Sequence, residues 1–164
     1  MWITTPAGDR WHQMTNFTNN PGSSSGYTGP AFTPDGTKAV WAEAVGPVDS
    51  ANVFGVWRLY VADFYVSPDG VPHLLNKQDI TPAEARWVEP GNFAPDSRHL
   101  VLSTDIGINN AQGQDQWSLD IDTGALQNLT SSPTVWDEHG LYSPSGDKII
   151  FMSSYPYRAD PTSY

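Results

Sequence analysis

The chain has 164 residues and a formal net charge of −10, with 14 Gly, 14 Pro and no Cys. Gly and Pro at this density break helices, so a helical bundle is excluded. The eight Lys and Arg are scattered, which argues against a nucleic-acid partner. No run of 18 apolar residues offers a membrane-spanning helix, so no membrane insertion is expected. The first residues, Met1-Trp2-Ile3-Thr4-Thr5-Pro6, lack the charged start and apolar stretch of a signal peptide. Aromatic residues make up 12% of the chain, enough to supply a core and to argue against disorder.

In chain order, Trp2-Ile3-Thr4 reads as a strand, Pro6-Ala7-Gly8-Asp9 as a turn and Trp11-His12-Gln13-Met14-Thr15 as the next strand. Phe32-Thr33-Pro34-Asp35-Gly36-Thr37-Lys38-Ala39-Val40-Trp41 then gives an aromatic-bearing strand, a Pro-led turn and an apolar strand. Trp57 to Asp63 and His73 to Leu75 flank the turn Ser67-Pro68-Asp69-Gly70. The first pattern returns at Phe93-Ala94-Pro95-Asp96-Ser97-Arg98-His99-Leu100-Val101-Leu102. The second returns at Gln116 to Asp122, Thr123-Gly124 and Leu126 to Thr130. The first appears a third time at Tyr142-Ser143-Pro144-Ser145-Gly146-Asp147-Lys148-Ile149-Ile150-Phe151.

This spacing defines a four-stranded unit, A to D, repeating from Pro34 to Pro95 to Pro144. Units of that size with one turn motif in one place are the signature of propeller blades. A sandwich or barrel does not require that recurrence. The expected fold is therefore an all-β propeller of four-stranded antiparallel blades, with about three blades present. Its parts are strands C and D of one blade (1–15), blades at 29–75 and 90–130, and strands A and B of another (140–153).

The Phe/Tyr-x-Pro-Asp/Ser-Gly-x-Lys-apolar repeat, with Leu-Thr or Met-Thr closing the fourth strand, resembles the TolB-type β-propeller repeat of bacterial proteins. The resemblance spans roughly 1–154. Ser97 stands where the turn Gly is expected, Ser145 where the Asp is, and the blade at 29–75 shows no Leu-Thr ending. Closed propellers use about four to eight blades. The chain is thus expected either to be a fragment of a longer propeller, the favoured reading, or to self-associate, two copies completing one ring.

The A-to-B and C-to-D turns are short (34–37, 67–70, 95–98, 123–124, 144–147). The D-to-A and B-to-C connections are long (16–28, 44–56, 76–89, 104–114, 131–139, 154–164). One face is therefore expected to carry the function. There Trp87-Val88-Glu89-Pro90-Gly91-Asn92-Phe93 matches Trp136-Asp137-Glu138-His139-Gly140-Leu141-Tyr142. Because strand A lines the channel, Trp87, Glu89, Trp136, Asp137, Glu138 and His139 are the candidate ligand-binding residues at the channel mouth. The alternative is that each Glu bonds loop backbone and each Trp packs between blades. One His and no ligand-spacing rule assign no metal, and no cofactor is expected.

Gly22-Ser23-Ser24-Ser25-Gly26 matches a nucleophile elbow by letters but lacks the strand–helix context. Thr81-Pro82-Ala83-Glu84 reads as a capping box, predicting a helical turn over 82–87. The oxygen-rich connection Asp105 to Asp115 lacks a calcium-loop spacing. Asn16-Phe17-Thr18 and Asn128-Leu129-Thr130 are formal glycosylation sequons. Tyr155, Tyr157 and Tyr164 are expected to seat against a missing strand.

The resemblance implies a non-enzymatic binding or scaffolding module taking a protein or polysaccharide partner, in the periplasm or outside the cell. The alternative is a carbohydrate-active enzyme or a propeller accessory to a serine peptidase, with Glu89, Glu138, Asp137 or His139 as acid–base groups.

Overall fold

A computed structural model describes residues 1–15, 26–48, 50, 53–108, 113–132 and 134–157. It is all-β, apart from one 3-10 turn at Tyr155–Tyr157. A hairpin of β1 (Trp2–Thr4) and β2 (Trp11–Gln13) comes first. The first full blade is β3 (Tyr27–Phe32), β4 (Lys38–Gly46), β5 (Val56–Val66) and β6 (Pro72–Asp79). The second is β7 (Val88–Phe93), β8 (His99–Thr104), β9 (Asp115–Asp120) and β10 (Leu126–Asn128). A last hairpin joins β11 (Asp137–Tyr142) to β12 (Ile149–Ser153).

Among the described residues, every pairing of named strands is antiparallel between sequence neighbours, so each full blade is a four-stranded meander, and an isolated parallel bridge links Gln114 to Trp136. The expected fold, a partial propeller of four-stranded blades, is what the chain adopts. The core lies between blades, where Val40, Ala42 and Leu59 meet Val88, Phe93, Leu100, Leu102 and Leu119. Among the described residues, β12 has a neighbour only in β11 and β1 only in β2. Apolar side chains stay exposed at both, Ile150 at 73% and Trp2 at 59%.

The short turns work as their residues predict. Asp35 accepts from the Thr37 amide at 3.0 Å and the Thr33 hydroxyl at 2.6 Å. Asp96 accepts from the amides of Arg98 and His99, both at 3.0 Å. The two departures from the motif are compensated. Ser97 takes the left-handed backbone that Gly36 takes in the blade before, and its hydroxyl accepts the Asp35 amide at 3.1 Å, bridging blades. Where Ser145 replaces Asp, Asp147 accepts from the hydroxyls of Ser143 and Ser145 instead.

The fourth strand of the first blade runs on to Asp79, past the expected end at 75. A register shift between Val61 and Asp63 absorbs the added length. Ile80-Thr81 then fills the place of the missing Leu-Thr ending. The Thr81 hydroxyl accepts the Leu59 amide at 2.8 Å, as Thr130 accepts Gln116 at 3.1 Å and Thr15 accepts the N-terminus at 2.7 Å. That duty, together with its bond to Asp79, takes Thr81 away from helix capping. Of the helical turn expected over 82–87, a single turn over 82–85 forms, closed from the Ala85 amide to the Pro82 carbonyl at 3.0 Å.

The innermost strands also start earlier than expected, at Tyr27, Val88 and Asp137 rather than 29, 90 and 140. Each carries a bulge, between Thr28 and Ala31, Pro90 and Phe93, and Glu138 and Leu141. A bulge lets a strand continue across residues that do not alternate, which hides it from a period-two reading. The Gly22–Ser25 stretch, the Asn16 sequon, Tyr164 and residues 109–112 lie outside the described residues.

Candidate functional site

Strands β3, β7 and β11 lie side by side, and glycines in their bulges let the backbones approach. A Cβ on Gly29 would sit 2.2 Å from the Pro90 carbonyl oxygen, and one on Gly91 would sit 2.1 Å from that of Gly140. Asn92 crosses the same seam. Its side chain donates to the Tyr142 carbonyl at 3.2 Å and accepts the Tyr142 amide at 2.6 Å.

This approach brings Glu89, Glu138 and His139 together at the end of the blades where the long connections emerge. His139 Nδ1 lies 3.6 Å from Glu89 Oε2, and Nε2 lies 3.6 Å from Glu138 Oε1. In a regular strand Glu138 and His139 would face opposite sides. The bulge and the left-handed backbone of His139 (φ 55°) put them on one side. The His139 side chain is 53% exposed, whereas those of Glu89 and Glu138 are about one-fifth exposed. The Thr28 hydroxyl donates to Glu89 Oε1 at 2.6 Å, and Gln114 Nε2 donates to Glu138 Oε2 at 3.2 Å. Polar groups thus run Thr28, Glu89, His139, Glu138 across three inner strands and end at Gln114, just before β9. Among the described residues, no Lys or Arg forms an ion pair with either Glu.

The other three expected residues stand beside this line, not in it. Asp137 is buried and accepts from the Ser132 hydroxyl at 2.5 Å. The same hydroxyl lies 2.9 Å from Asp115, which also accepts from Thr130, Asn128 and the Ser132 amide. Trp87 is buried and Trp136 half-buried. Phe54, from the connection between β4 and β5, packs against both, tilted to Trp87 with ring centroids 5.0 Å apart and edge-on to Trp136 at 5.3 Å. Their backbones are strapped down. Asp105 accepts the Trp87 amide at 3.1 Å, and the Ser154 hydroxyl accepts the Trp136 amide at 2.9 Å.

Three residues of the site escape a sequence reading. Thr28 occupies the strand position of Glu89 and Glu138, so aligning bulge to bulge finds it. Gln114 and Phe54 lie in connections without a repeated pattern, and only the packing of blades brings them in.

Chemically, two carboxylates and an imidazole can bind a polar or cationic group, or move a proton. No protein-family model and no curated protein matches the chain. Among solved structures, it is similar to TolB from Acinetobacter baumannii, at 16% identity and a TM-score of 0.45, covering 92% of this chain and 42% of that one. It is also similar to a puromycin hydrolase S511A mutant complexed with PGG, at 18% identity and a TM-score of 0.46, covering 76% of this chain and 21% of that one. The chain therefore spans less than half the length of either. The fold assignment rests on the strand order and register described above.

Proposed function

We propose that the chain is a binding module that takes a protein or polymer ligand at the long-connection end of its blades. The observation that supports this reading is the convergence of Glu89, His139 and Glu138 from adjacent inner strands. A half-exposed ring between two partly buried carboxylates offers acceptors and a donor to an incoming hydroxyl, amide or cation. The aromatic group of Phe54, Trp87 and Trp136 holds the neighbouring connections rigid, which lowers the entropy lost on binding. By the TolB-type resemblance, the setting is the periplasm or the cell exterior. The alternative, a carbohydrate-active enzyme or a propeller accessory to a peptidase, would use the same Glu and His as acid–base groups.

The test is a panel of immobilised polysaccharides and peptides, probed with the wild-type chain and with Glu138→Gln and His139→Ala, while product release is monitored. Capture without turnover, weakened tenfold or more in both variants, is expected. Turnover abolished by Glu138→Gln would establish the enzyme instead. Capture unchanged in both variants would move the ligand site away from this cluster.

A further inference from the structure

The geometry points to a divalent-cation site made by Glu89, Glu138 and His139, for a first-row ion of the Zn²⁺ or Mn²⁺ type. It shares these side chains with the proposed binding surface but does not depend on a polymer ligand. One donor atom from each residue can be chosen so that all three lie within 4.8 Å of one another. Ligands about 2.1 Å from a tetrahedral ion are separated by about 3.4 Å, so a modest turn of the half-exposed His139 ring closes the set. The ring's two 3.6 Å contacts to carboxylate oxygen use different nitrogens, Nδ1 to Glu89 and Nε2 to Glu138, so only one of them persists when a single nitrogen takes the ion.

A second observation concerns the uncharged neighbour of Glu138. Gln114 is wholly buried, and its carboxamide reaches the cluster with Nε2 3.2 Å from Glu138 Oε2. Its carbonyl, Oε1, has no hydrogen-bond donor. A buried amide oxygen left without a donor destabilises the fold. Turned over, that amide would give up its bond to Glu138 and offer Oε1 to a cation beside the carboxylate, exchanging two nearly isosteric ends. The Thr28 hydroxyl, donating to Glu89 Oε1, holds that carboxylate in place, as hydrogen bonds behind a metal ligand do.

Charge supports the same conclusion. The two Glu have no Lys or Arg partner among the described residues, and the chain as a whole carries −10. An imidazole beside two carboxylates suits Zn²⁺ or Mn²⁺ better than Ca²⁺, which prefers six to eight oxygen ligands. The chain has no Cys to compete for a thiophilic ion. Remaining coordination positions would open on the exposed side of His139.

The experiment titrates the untagged, chelator-treated full chain with ZnCl₂, MnCl₂ and CaCl₂ separately, by calorimetry and thermal unfolding. One equivalent of Zn²⁺ or Mn²⁺ is expected to bind and raise Tm. The affinity should fall at least tenfold in Glu89→Gln/Glu138→Gln, and also in His139→Ala. Circular dichroism of each variant verifies folding. Absence of binding at millimolar Zn²⁺ and Mn²⁺, binding of Ca²⁺ alone, or equal binding by folded His139→Ala would each overturn the site. Metal binding retained while every polymer fails to bind would remove the binding proposal and leave the cation site standing.

Discussion

The two ends of the blades use their carboxylates in opposite ways. At the short-turn end, Asp35, Asp96 and Asp147 are spent on their own turns, each accepting bonds from residues within a few positions. At the long-connection end, Glu89 and Glu138 reach partners far away in sequence, Thr28 and Gln114, and converge on an exposed ring. The first arrangement is local and repeated in every blade. Among the described residues the second exists once, where three inner strands meet. A carboxylate that completes a turn holds the architecture, and one left facing another carboxylate is available for chemistry.

The sharpest way to break this contrast is to add one methyl group at each end. Gly91→Ala would drive a Cβ to 2.1 Å from the Gly140 carbonyl oxygen and is expected to cost about 3 kcal/mol, read from the urea midpoint. Gly36→Ala meets open space and strains only a left-handed φ of 71°, so about 1 kcal/mol is expected. The reverse order would show that the inner strands are not the rigid part. Phe54→Ala removes the ring between Trp87 and Trp136 and should cost about 2 kcal/mol, with a red shift in tryptophan emission. Phe54→Leu should recover part of the loss, and an unchanged emission maximum would detach Phe54 from the site.

The smallest effect is expected from acid acting on the turns. The Lys148 ammonium, then the Ser145 and Ser143 hydroxyls, hold the Asp147 carboxyl down to about 2. For Asp96, burial pulls upward, but the His99 amide and ring and the Arg98 amide outweigh it and leave a pKa of about 2. The Thr33 hydroxyl, then the Thr37 amide and hydroxyl, lower Asp35. A carboxyl depressed in the folded state stabilises it above the ordinary value of 3.8 and loses that contribution as pH falls through about 2. The denaturation midpoint should therefore decline between those values and be flat above them. Asp147→Asn should shallow the decline, and an unaltered profile would show that the turn carboxylates contribute nothing.

The short-turn end was legible because its chemistry lies within a few residues. Pro presets one backbone angle and a neighbouring Asp or Ser closes the turn, so Pro34, Pro95 and Pro144 announced the blades. The ending of the first blade was harder to see, since the extension of β6 displaces Ile80-Thr81 from the expected spacing. At the long-connection end, Trp87-Val88-Glu89 and Trp136-Asp137-Glu138 were visible as a local match. Their separation into a converging pair and a buried Asp137 was not, because the bulge in β11 sets which side each residue faces.

The sequence by itself determined the strands, their turns and the four-stranded unit, since these follow from backbone preferences and alternation over short spans. Only the tertiary structure decided which carboxylates meet. Gly29 and Gly91 bring inner strands into backbone contact, and that approach sets residues about 50 to 60 positions apart, such as Thr28 and Glu89 or Glu89 and His139, within a few ångströms. No local pattern records a distance between blades, because that distance is the sum of packing across the whole interface.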